Sequence, residues 1–179
     1  MDTLVRWCDG LERAVVLIGK IAAWFGVALI LITVFDVVSR KYFVLGSTKL
    51  QELEWHFHTV LFMLCLGFCY LRDGHVRIDL VREQLPLRVR WWIEVFGCLL
   101  FLLPYCALIL WFSVDFVWDS YIGHETSNSA TGLGERWIIK MTLPVGFVLL
   151  ALAGLVQLTR SLLKLFGPAE LRDRLAGAR

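Results

Sequence analysis

The chain has 179 residues, is 58% hydrophobic and only 19% charged, and carries a formal net charge of +2. That composition excludes a water-soluble domain of this length, which would need far more polar surface. The mild charge gives no footing for nucleic acid.

The apolar residues gather into four long blocks, as spanning helices require: about 20 mostly apolar residues cross roughly 30 Å of hydrocarbon. The first block, residues 14–38, is uncharged over 21–35. It exceeds the roughly 7–15 apolar residues of a signal-peptide core. Asp2, Asp9 and Glu12 also stand where a leader would be basic, so the block reads as a retained span. Ahead of it, Leu4, Trp7, Cys8, Leu11 and Val15 share one helical face. This predicts a short amphipathic helix at the membrane surface.

The second block covers residues 51–71, but its purely apolar part, 60–71, is too short to cross alone. Glu52, Glu54, His56 and His58 are therefore placed at one membrane face. Spacings of four allow Asp36 to pair with Arg40, Glu52 with His56 and Glu54 with His58. Charges so near hydrocarbon need partners, and Asp36, Glu52, His56 and His58 form a candidate polar cluster for contact with another subunit.

In the link that follows, Ile78, Val81 and Leu85 share a face, while Arg77, Arg82 and Glu83 lie off it. The pattern predicts a short in-plane helix with a basic rim towards anionic headgroups. Gly74 is read as allowing a tight exit from the second helix, and Pro86 as first-turn residue of the third.

The third span is placed at residues 91–114; it carries no charge over 95–114, and Pro104 interrupts it. The fourth is placed at 137–160, with Gly167-Pro168 as a stop signal. Trp55, Trp91, Trp92, Trp111, Trp118 and Trp137 fall near predicted ends, where indole favours the interface. Gly67, Gly97, Gly146, Ala151, Ala153 and Gly154 allow close helix approach. The five cysteines show neither a CxxC pair nor metal-ligand spacing and read as small hydrophobes.

Lys and Arg fix the orientation. Thirteen lie on the side holding both termini and the link between helices two and three; five lie on the other. Both termini are accordingly expected in the cytoplasm. The fold class is an all-α membrane protein of four transmembrane helices, one domain over residues 1–179, with the two surface helices above.

Several elements stand in a familiar order. Arg40-Lys41-Tyr42-Phe43 closes the first span, and Glu54 opens an apolar run to Gly67. Gly74-His75-Val76-Arg77-Ile78-Asp79-Leu80 and Leu85-Pro86 follow, and Leu143-Pro144-Val145-Gly146 lies in the last span. From about residue 14 to 167 the chain resembles the small, DctQ-like membrane subunit of tripartite ATP-independent periplasmic (TRAP) transporters. The Gly-His-x-Arg-x-Asp stretch is the most specific part. The polar stretch from Gln51 to His56 is richer in polar groups than the family's usual entry to helix two.

The resemblance implies family-motif or structural roles for Arg40, Glu54, Gly67, Gly74, His75, Arg77, Asp79, Pro86, Pro144 and Gly146. It also implies a complex in the bacterial inner membrane. There a large membrane subunit holds the solute and sodium sites, and a periplasmic binding protein delivers the solute, usually a carboxylate. The small subunit braces the large one and has no catalytic residue or cofactor.

The residues agree with an accessory role. A transporter acting alone normally shows intramembrane ionisable groups, broken helices or repeats around a central site. Here Asp36, Glu52, Glu54, Glu94, Asp115 and Lys140 sit near span ends. A haem- or quinone-binding anchor of a respiratory complex is the alternative. It would need facing histidines at one depth, whereas His75 is expected inside and His56, His58 and His124 outside.

Overall fold

The structure, a computed structural model, describes residues 2–43, 46–74 and 84–168. They form four long helices: α1 (Asp2–Phe43), α2 (Thr48–Leu71), α3 (Leu87–Ile122) and α4 (Arg136–Phe166). Helices are the expected solution for such apolar sequence, because they satisfy every interior backbone group without help from solvent. Three of them, α1, α3 and α4, are long and apolar enough to cross a membrane. The polar first half of α2, with Glu52, Glu54, His56 and His58, keeps it outside that set.

The separate N-terminal surface helix is not found. Residues 2–43 are one continuous helix, about 63 Å long at 1.5 Å per residue. Of the predicted apolar face only Cys8 and Val15 are buried, whereas Leu4 and Trp7 are exposed. Arg160 of α4 explains why the segment stays in line: it pairs with Asp9 at 2.8 Å and Glu12 at 2.5 Å, drawing the start of α1 against the end of α4. The predicted in-plane helix falls largely on residues 75–83, outside the described residues, as do His75, Arg77 and Asp79.

Helix α4 is the hub and packs against all three others, while α1 also runs along α2. Two glycines set the closest approach. A Cβ on Gly67 would stand 2.6 Å from the Leu149 carbonyl oxygen, and one on Gly146 would stand 2.6 Å from that of Met63. The two backbones of α2 and α4 therefore touch at two points one turn apart, where any side chain would intrude. Val15, Leu149 and Ala153 fill one side of this crossing; Cys106, Phe147 and Leu150 fill the other. Cys8, Cys98 and Cys106 are buried, and none of the five cysteines is in a disulfide.

Prolines shape both α3 and α4. Pro104 does not end α3. The preceding six residues, Gly97–Leu102, widen into a π-helical turn in which the Leu103 N–H reaches the Cys98 carbonyl. A π-bulge shifts the hydrogen-bond ladder by one residue, so the helix continues past a residue without an N–H. In α4, Pro144 offers no N–H to the Lys140 carbonyl, and the helix is briefly interrupted at Met141 before resuming over Thr142–Phe166. Pro86 sits one residue earlier than expected, as the N-cap of α3, its carbonyl accepting from Val89 (2.9 Å) and Arg90 (3.2 Å).

The exit from α2 also differs in detail. Its left-handed residue is Asp73 (φ 53°), and no described glycine has positive φ. Gly74 instead supplies an N–H that bonds the Cys69 carbonyl at 2.8 Å, closing a Schellman-type cap.

Candidate functional site

Polar groups collect at the two ends of the bundle. At the end holding the α1–α2 junction, Asp36 is only 2% exposed, although it is ionisable. Burial of a lone carboxylate is expensive, and Arg40, one turn on, answers it with an ion pair. With the Gln51 amide turned so that its oxygen faces the guanidinium, Arg40 also donates to Gln51 at 2.7 and 2.8 Å. Arg40 thus joins α1 to α2. Glu54 bears on the same guanidinium electrostatically. Among the described residues, Asp36 Oδ1 and Glu54 Oε1 are buried without a hydrogen-bond partner.

Of the three pairs expected from spacing, only Asp36–Arg40 forms. The Glu52 carboxylate turns away from His56 to the segment joining α3 to α4. There it accepts from the Leu133 N–H at 2.5 Å and from the Ser127 hydroxyl. His56 Nδ1 instead meets the Glu52 backbone carbonyl at 2.5 Å. His58 is exposed and stacks on Phe62, with ring centroids 6.5 Å apart.

Residues 123–135 fold over the start of α2 as a strap. The Ser127 N–H bonds the Leu133 carbonyl at 3.1 Å, and the Arg136 N–H bonds the Glu125 carbonyl at 3.0 Å. A Cβ on Gly132 would lie 2.2 Å from Ser127 Oγ and 2.8 Å from Glu52 Oε1, so only glycine lets the strap seat here. Glu125 closes the strap on α4 through Lys140 and, at 3.8 Å, Arg136. The Lys140 ammonium holds the Glu125 carboxyl below its ordinary value. With the folded value lowered, the contact contributes stability above the unfolded carboxylate value and loses it as pH falls through the folded one.

The opposite end carries a second network. Glu94 of α3 accepts from Gln157 and, at 3.5 Å, from Ser161 of α4, which is 2% exposed. Tyr70 and Cys98, 3.0 Å apart, link α2 to α3 nearer the middle. Sequence reasoning missed Gly132, the strap contacts of Glu52, and the Glu94 and Arg160 networks. All bridge residues more than 60 positions apart, beyond the reach of any helical spacing rule.

The arrangement is that of a clasped bundle. Ionisable groups tie helix ends together, and the level of the glycine crossing is filled by apolar side chains and small residues. A comparison with family models decides what kind of bundle it is: the model of the tripartite ATP-independent periplasmic transporters, DctQ component, matches residues 29–164. The chain belongs to the DctQ family. A search of curated proteins found no match to it.

The matched stretch takes in the Asp36–Arg40 clasp, both crossing glycines and the strap. Residues 2–28 of α1 lie before it. As a DctQ component the chain is a membrane protein and part of a transporter, not an enzyme. Membership implies a TRAP complex that includes a large membrane subunit and a periplasmic binding protein.

Proposed function

We propose that this DctQ component braces the large membrane subunit during ion-gradient-driven import of an organic solute, a carboxylate, delivered by the periplasmic binding protein. The observation that carries this reading is where the ionisable groups sit. Among the described residues Asp36 and Glu52 are engaged at one end of the bundle and Glu94 and Arg160 at the other, while the crossing around Gly67, Leu149 and Ala153 is packed with apolar side chains and leaves the nearby Lys20 exposed. A bundle packed in this way suits a support. It leaves solute and ion handling to the neighbouring subunit, since a transport pathway needs polar groups at mid-depth.

In this reading α2 is the fourth span, its Glu52 and Glu54 placed in the outer headgroup zone. Both termini face the cytoplasm. Gly67 and Gly146 are structural positions, and Gly74, Pro86 and Pro144 shape helix ends. His75, Arg77 and Asp79 belong to the cytoplasmic link. Asp36, Arg40, Glu52, Glu54, His56 and His58 form the polar region that sets the subunit contact. The haem alternative gains no support from the described histidines: His56 and His58 share one helix, and His124 follows the end of α3.

Co-purification tests the reading. Glu54→Leu is expected to lower recovery of the large subunit at least several-fold while the small subunit remains folded. Undiminished recovery together with undiminished uptake would remove Glu54 from the contact.

A further inference from the structure

The first half of α1 separates its charges by sign. Arg6, Gly10, Arg13, Leu17, Lys20 and Trp24 follow one another at spacings of four and three, so they form one line along the helix. All six are exposed, while Cys8, Val15 and Gly19 on the opposite side are buried against the bundle. The two acids between residues 3 and 24, Asp9 and Glu12, turn from the line to Arg160 of α4. None of the three cations on the line makes an ion pair or a hydrogen bond with a described residue. The tendency of Lys and Arg to gather at one end of a span does not dictate which side of the helix they take.

Lys20 makes the line costly to leave uncovered. Its neighbour Gly19 packs on Phe68, beside the Gly67 crossing, so Lys20 stands level with the apolar runs of α2 at 60–71 and of α4 at 141–159. Leu17, Ile21 and Trp24 around it are 57–73% exposed, a surface suited to hydrocarbon. An ammonium there must snorkel along the helix towards the headgroups and meet an anion. Arg13 lies on that path about 10 Å along the axis, and Arg6 about 21 Å. Between the two arginines Gly10 carries no side chain. A Cβ there would meet nothing within 4 Å, so packing within the bundle gives no reason for a glycine. The gap belongs to a groove lined by Arg6 and Trp7.

We propose that this line binds an anionic phospholipid. Arg13 and Lys20 hold its phosphate, Arg6 stands beside the headgroup, and the acyl chains run along Leu17, Ile21 and Trp24. Charge complementarity selects the ligand: three cations with no acid on their line favour a net negative headgroup over a zwitterion, whose amine they repel. A phospholipid matches both halves of the line at once, anion at the Arg13 end and hydrocarbon at the Trp24 end. A partner helix would have to carry its acids into the hydrocarbon to do the same. The site does not depend on whether the chain braces a larger subunit.

Native mass spectrometry of the purified full chain tests the site, with phosphatidylglycerol and phosphatidylcholine of identical acyl chains offered in equal amounts. Retained phosphatidylglycerol is expected to exceed phosphatidylcholine by about fivefold or more, the effect of roughly one basic residue near an anionic surface. The triple variant Arg6→Gln, Arg13→Gln, Lys20→Gln should bring the ratio to near unity. Its three positions are exposed, so its thermal midpoint in phosphatidylcholine should match that of the unaltered chain. Should that midpoint fall, Lys20→Met alone carries the test and must at least halve the ratio. Arg72→Gln with Arg88→Gln, exposed cations elsewhere at the same end of the bundle, should leave the ratio as it was. No preference in the unaltered chain would overturn the proposal. Equal falls in the triple and control variants would overturn it in favour of diffuse charge. A preference that survives in the folded triple variant, together with loss of the large subunit on co-purification, would give the line to an acidic partner instead.

Discussion

Replacing Gly67 with leucine is expected to prevent the bundle from assembling. The Cβ alone would stand 2.6 Å from the Leu149 oxygen and 3.0 Å from a Val15 methyl. Backbone cannot move aside as a flexible side chain can, so α2 and α4 must separate. Separation would empty the core on both sides of the crossing, where Leu149, Ala153, Phe147 and Leu150 lie. Gly67→Ala makes the smallest intrusion and is expected to cost about 1–3 kcal/mol, as overpacking does. Gly146→Ala should cost a similar amount, because its Cβ would meet the Met63 oxygen at the same distance. The two substitutions open one shared crossing, so the double variant should fall short of the sum. Thermal unfolding in detergent measures all three, and size-exclusion chromatography reads out the leucine variant.

Arg40→Ala is expected to lower the thermal midpoint more than Asp36→Asn does. Removing the guanidinium leaves the Asp36 carboxylate at 2% exposure without its ion pair, and deprives Gln51 of its link to α1. Stranding a buried charge is far costlier than never burying one, and the fall should be on the order of 10 °C. Asp36→Asn keeps the shape and removes the charge that needs answering, so it should be milder. Equal losses from both variants would show that the pair matters only as a hydrogen bond.

Much of the fold is readable from one sequence because the bilayer leaves few options. Long apolar blocks become helices, and Gly67 and Gly146 are legible as small residues at a crossing. The Asp36–Arg40 pair is legible too, since both residues lie on one continuous helix. Glu52 and Glu54 show where that logic stops. Their spacing to His56 and His58 favours local pairs, but the strap offers Glu52 a backbone N–H and a hydroxyl from residues some 80 positions away. Gly74 shows a subtler limit. A glycine beside a helix end invites the left-handed position, yet Asp73 takes it, because an Asp tolerates that conformation and Gly74 serves equally well one step on. The N-terminal segment misled for a different reason: amphipathic periodicity is the same whether a helix lies on a membrane or docks on α4. Only the Arg160 pairs distinguish the two.

Reconstitution tests the central claim most directly. Liposomes holding the purified chain alone should accumulate no organic acid under an imposed ion gradient. Liposomes that also hold the large subunit and receive the periplasmic binding protein should accumulate it. Uptake by the chain alone would contradict the account, which leaves solute and ion handling to the large subunit.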